Sequence, residues 1–119
     1  MFFESMPFFF IMYIYNITFV TSPDKEIELL NYLRNRIIPA VVVSKYPANN
    51  PELRKVIETG GEKPSPEHGV SVAFSAAFPT EEVAHLWHDE ILMPALADFH
   101  LKFGEQGLFF VTLLENLSL

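Results

Sequence analysis

Few residues in this chain have types and spacings that could do chemistry. His85 and His88 stand three apart, with Glu81 and Asp89 beside them. Side chains three and four apart share one face of a helix, and two imidazoles so placed can hold a divalent cation. No third ligand stands at a diagnostic spacing, so the plainer expectation is two histidines on a solvated helical face and no metal. His100 lies just before Lys102 near an expected helix end. A cation is favoured there by the negative helix terminus, which explains His100 better than catalysis does. Asn16 is expected on one side of a strand with Thr18, near Ser71 and Ser75 of a neighbouring strand. Such a cluster can orient a small ligand in an otherwise apolar pocket; alternatively, Asn16 satisfies backbone groups or crosses a dimer axis. Tyr15 faces the other side of that strand. The candidate ligand-binding set is therefore Asn16, Tyr15, Ser71, Ser75 and His100, and no catalytic residue is assigned.

Other polar and aromatic residues have structural explanations. Tyr32 and Trp87 occupy equivalent places in two expected helices, which points to core rather than to a binding platform. Glu115 follows Leu113-Leu114 and is expected to end a strand with a salt bridge; as a general acid it lacks an identifiable partner. There is no Gly-rich phosphate loop, no Gly-x-Ser-x-Gly elbow, no His-Glu-x-x-His and no cysteine. Gly60-Gly61 lies in a loose loop without the helix start that anion binding wants. No cofactor is expected.

The elements that must position these residues follow from periodicity. Tyr13 to Thr21 reads as a first strand with Tyr13, Tyr15, Ile17 and Phe19 on one face. Thr21-Ser22-Pro23-Asp24 is a helix start: a capping hydroxyl, proline at the first helical position, then an acid. Ile27, Leu30, Leu33 or Arg34, Ile37 and Val41 follow at helical spacing, and the helix should bend or end near Pro39. Tyr46 to Pro51 is dense in turn formers, and Leu53 to Thr59 reads as a short polar strand whose Arg54, Lys55 and Glu58 suit a sheet edge. Thr59 to Gly69 is expected to be a loose, mobile connection. Val70 to Phe78 alternates large residues with Ser71, Ala73, Ser75 and Ala77. Pro79-Thr80-Glu81-Glu82 starts a second helix with Val83, Leu86, Trp87, Glu90, Ile91 and Pro94 along its face, running toward Phe103 before Gly104 stops it. Leu108 to Glu115 is a last strand, apolar on both faces except for Thr112, and so covered on both.

The chain also repeats itself weakly at an offset of 55 residues: Phe19 falls on Phe74, Tyr32 on Trp87, Pro39-Ala40 on Pro94-Ala95 and Leu53 on Leu108. Each half is then one supersecondary unit that cannot bury its apolar side alone. Strand, helix, strand, taken twice with right-handed crossovers, makes an α+β, ferredoxin-like βαββαβ fold. Its four-stranded antiparallel sheet carries both helices on one face. The other face is left bare, and it is expected to pack on its twin in a homodimer, as a dimeric α+β barrel, or to close over a ligand.

Met12-Tyr-Ile-Tyr-Asn-Ile-Thr, the helix-ending Ile38-Pro39, and Phe103-Gly104 followed by Phe110-Val111-Thr112-Leu113-Leu114-Glu115 resemble a bacterial family of domains of unknown function, number 4286. The resemblance runs from residue 12 to about 117. It implies a small ferredoxin-like protein with no assigned activity and no family site residues to carry over. Members often carry histidine before the first Ile-Pro, where this chain has Ile37.

Composition narrows the function classes. Half of the 119 residues are apolar and 12 are Phe, a surplus that one small monomeric core does not readily hide. A net charge of −7 with only eight scattered Lys and Arg argues against nucleic acid. Met1 to Val20 is strongly apolar, but Glu4 is its only charge, Pro7 interrupts it, and Asn16 and Thr18 arrive too soon for a spanning helix or an export signal. A cytoplasmic protein without membrane attachment is expected. Residues 1–11 then form an extension with no structural task, and Met12 is a candidate true start. Three functions stay open: a homodimeric protein for interaction or small-ligand binding without turnover; a small cofactor-light enzyme of oxygenase or isomerase type using Asn16, Tyr15 or His100; and a subunit of a hetero-complex.

Overall fold

A computed structural model describes residues 12–62, 69–105 and 107–117. The expectations for the N-terminal extension and for most of the loose connection lie outside the described residues. Strands β1 (Tyr13–Thr21), β2 (Asn49–Lys55), β3 (Val70–Phe78) and β4 (Leu108–Glu115) form one antiparallel sheet in the order β2-β3-β1-β4. This is the ferredoxin-like arrangement, and it places the two halves of the repeat around the central pair β1 and β3.

Between β1 and β2 the chain forms a short 3-10 turn at Pro23–Lys25, then α1 (Glu26–Tyr32), a π turn (Leu33–Ile37) and α2 (Ile38–Val42). Between β3 and β4 it forms α3 (Glu81–Trp87), a second π turn (His88–Leu92), a short α4 (Met93–Ala95) and α5 (Phe99–Phe103), which ends at Gly104 with φ 74°. Both π turns immediately precede an x-Pro pair. A proline ring inside a helix collides with the carbonyl four residues back, here that of Asn35 or Glu90, and each of these lies in the widened turn. Ile38 and Met93 instead donate five residues back, to Leu33 and His88. Neither helix ends at its proline: the first continues to Val42 and the second to Ala95.

The core lies between the helices and one face of the sheet. Ile17, Phe19, Phe74 and Phe78 from β1 and β3 meet Leu33, Ile37, Trp87 and Phe99 from the helices, all fully buried. The alternation expected for β1 and β3 is the one observed. Ile27, placed on the buried side of the first helix from its spacing, is 75% exposed, because the face that meets the sheet is carried by Leu29, Tyr32, Leu33 and Ile37. Leu86 and Glu90 are likewise exposed, and Ala84 and Leu92 take the inward positions. The second polar strand begins earlier than its composition indicates, at Asn49, and stops at Lys55. It is an edge strand, which tolerates Pro51 and an irregularity between Asn49 and Glu52. Ser22 does not cap the first helix, whereas Thr80 caps α3 by accepting from the Val83 amide at 3.1 Å.

Candidate functional site

The bare face of the sheet is built from the residues that alternate with the core. On β1 these are Ile14, Asn16, Thr18 and Val20; their partners on β4 are Leu114, Thr112, Phe110 and Leu108. On β3 the small residues Ala77, Ser75, Ala73 and Ser71 lie opposite the same β1 positions. A polar row therefore crosses the sheet at the level of Asn16: Thr112, Asn16, Ser75 and Glu52. Asn16 donates to Thr18 Oγ1 at 3.3 Å, and Arg54 reaches Ser75 Oγ at 3.4 Å while pairing with Glu52 at 2.7 Å. On this face, then, Asn16 and Ser75 are direct cross-strand neighbours. Ser71 stands opposite Val20, four residues along the strand from Ser75, or about 13 Å away.

The other candidates are elsewhere. Tyr15 is buried on the helix side, edge-on to Trp87 with ring centroids 5.2 Å apart and 5.6 Å from His88. Burial, and secondarily the Asp89 carboxylate, pushes its phenol up to about 12. Trp87 Nε1, wholly buried, has no hydrogen-bond partner among the described residues. His100 is exposed on α5 and stacks on Phe109, centroids 5.8 Å apart. His85 and His88 do not converge: His85 faces Glu81 at 3.4 Å and His88 faces Asp89 at 2.8 Å. Among the described residues no group of three or more His, Cys, Asp or Glu could hold a metal ion.

Two concavities formed by the described residues lie on the helix side. The smaller, about 290 Å³, is lined by Glu28, Asn35, Arg36 and Lys102 beside Tyr32. There Tyr32 donates to Asp98 at 2.8 Å, and Asp98 pairs with Arg36 at 2.7 Å, so the group fastens the first helix to the segment before α5. The larger, about 480 Å³, opens between the first helix and edge strand β2. Its walls are apolar, from Leu30, Ile38, Leu53 and Val72, and its rim carries Arg34 and Lys55; Arg54 borders it but directs its guanidinium to the bare face. Sequence reading assigned none of these residues to a site. The spacing of Leu30, Arg34 and Ile38 by fours was visible, but their meeting with residues 53–55 is a product of tertiary structure.

The model of a domain of unknown function, DUF4286, matches residues 12–117. The chain belongs to the DUF4286 family. No curated protein matches it in sequence. Among solved structures, this DUF4286 chain is similar to a protein of unknown function from Nitrosomonas europaea, with TM-score 0.63 and 13% identity over 92% of this chain and 93% of that one. It is also similar to an ethyl tert-butyl ether D (EthD) family protein from Bacillus halodurans, with TM-score 0.64 and 10% identity over 88% and 99%. A third is a DABB family protein with a ferredoxin-like fold from Mesorhizobium loti, with TM-score 0.59 and 14% identity over 91% and 99%. At these identities the likeness is one of fold. No helix among the described residues is long and apolar enough to cross a membrane.

Proposed function

We propose that this protein is a cytoplasmic homodimeric interaction domain whose two copies meet through the bare faces of their sheets. The observation that carries the reading is the outer row of β4, where Leu108, Phe110 and Leu114 are 53%, 55% and 48% exposed beside the half-buried Ile14 and Val20 of β1. Three large apolar side chains in one row are more than scattered surface exposure. The small residues of β3 leave room for a partner's side chains. The face spans about 30 Å by about 19 Å for strands of this length and number, so two such faces pressed together bury on the order of 1,200 Å², the lower bound for a specific interface. Charge does not oppose the contact. Although the chain carries −7, the ionised groups of this face among the described residues are Glu52 and Arg54, which neutralise each other at the β2 edge.

Sedimentation velocity at micromolar concentration tests this. The wild-type chain is expected to run as a dimer and Phe110→Glu, which puts a charge in the middle of the row, as a monomer. A monomeric wild type overturns the homodimer and gives the face to a different protein.

A further inference from the structure

The larger cleft on the helix side has a chemistry of its own, independent of whether the bare faces pair. It lies at the β2 edge, between the first helix and the sheet, and β2 offers the helix side only Leu53 and Lys55. Its volume, about 480 Å³, falls within the range of small-molecule sites. Four aliphatic side chains, Leu30, Ile38, Leu53 and Val72, form the inner wall.

The rim is the unusual part. Of only eight Lys and Arg in an acidic chain, Arg34 and Lys55 bring their charges to this cleft, while Arg54 turns its guanidinium to the bare face, toward Glu52 and Ser75. Lys55 is already neutralised, holding Glu26 at 2.7 Å. Arg34 makes no ion pair among the described residues, so the cleft mouth is left with about one uncompensated positive charge. An arginine guanidinium presents a planar fork that fits a carboxylate with two parallel hydrogen bonds. An aliphatic wall behind a single arginine fork therefore complements one kind of ligand, an apolar chain ending in one negative charge.

We propose that the cleft between the first helix and β2 binds a small amphipathic monocarboxylate, its chain against Leu30, Ile38, Leu53 and Val72 and its carboxylate on Arg34. No bond is made or broken in this assignment; it is a binding site.

Octanoate is a suitable probe, with acetate and octan-1-ol as controls for the chain and the charge. Amide chemical shifts of the full-length protein, followed by heteronuclear NMR, report where each probe binds. Octanoate is expected to give saturable shifts at Leu30, Arg34, Ile38, Leu53 and Val72, with acetate giving none and octan-1-ol binding about ten-fold more weakly. Arg34→Gln is expected to weaken octanoate about ten-fold, the effect of losing a charge-assisted hydrogen bond, and Arg34→Lys to recover part of it. Arg34 is exposed, so both variants keep the fold. The site is overturned if octanoate causes no saturable shifts at these amides, if its shifts fall on Phe110 and Leu114 instead, if octan-1-ol binds as tightly as octanoate, or if Arg34→Gln binds octanoate like the wild type.

Discussion

Tyr15 on β1 and Tyr32 on α1 both hold their phenols away from water, and this has a pH signature. Burial raises Tyr15 from a tyrosine's usual 10 to about 12, and burial together with the Asp98 hydrogen bond and charge raises Tyr32 in the same direction, with Arg36 opposing. Below pH 10 both the folded and unfolded chains keep these protons, so the tyrosines do not affect the balance. Between about 10 and about 12 the unfolded chain loses the Tyr15 proton first, and stability falls as pH rises through that window. The urea midpoint is therefore expected to decline across it, and less steeply in Tyr15→Phe; identical slopes in the two proteins would place the Tyr15 hydroxyl in contact with water. Tyr15 was legible as a residue facing away from Asn16, because strand alternation settles the side. That it would lie against Trp87 and His88 depends on how the second helix rolls on the sheet, which alternation does not determine. Alternation put Asn16, Ser71 and Ser75 on one face, but not which serine lies opposite Asn16: pairing register is a long-range quantity that a strand of small residues constrains weakly, and it brings Ser75 to Asn16 and Ser71 to Val20.

Among the elements, those with sharp chemical boundaries were readable to the residue. β1 and β3 are bounded by turn and cap residues and alternate cleanly. β4 is bounded by Gly107 and the polar Asn116. β2 was placed too late because a polar edge strand has little pattern of its own, and its limits are set by what β3 offers for pairing. The helix caps separate in the same way. Thr80 accepts from Val83 N, so Thr80→Ala is expected to cost about 1 kcal/mol. Ser22 makes no capping bond, so Ser22→Ala should stay within about 0.5 kcal/mol of wild type. Paired urea titrations check the contrast, and equal losses would mean that Ser22 caps in solution.

For the molecule as a whole, a core this small buries roughly two thirds of the surface of its unfolded chain, so an interface of ordinary size is a large share of its stability. Coupling folding to pairing makes the melting temperature depend on concentration. The wild-type midpoint is expected to rise by several degrees across a hundred-fold increase in protein concentration, and that of Phe110→Glu to stay constant. Scanning calorimetry at several concentrations distinguishes them. Flat behaviour in both would leave β4's row without a partner copy. Fold and bare face were both readable from the order of elements and the apolar surplus. The arginine-rimmed cleft was not, because it joins residues about 20 positions apart that share no local motif.

The two π turns fall at residues 33–37 and 88–92, the same offset that relates the rest of the halves. A widened turn holds more residues than an α-helical one, so positions spaced by four across it drift less around the helix axis. Leu33, Ile37 and Val41 therefore stay buried on one side of the first helix, and Leu92 and Leu96 do so at the equivalent places of the second half. Each x-Pro pair thus keeps a four-residue apolar stripe pointed at the sheet, where an unbroken α-helix would have carried it round toward solvent.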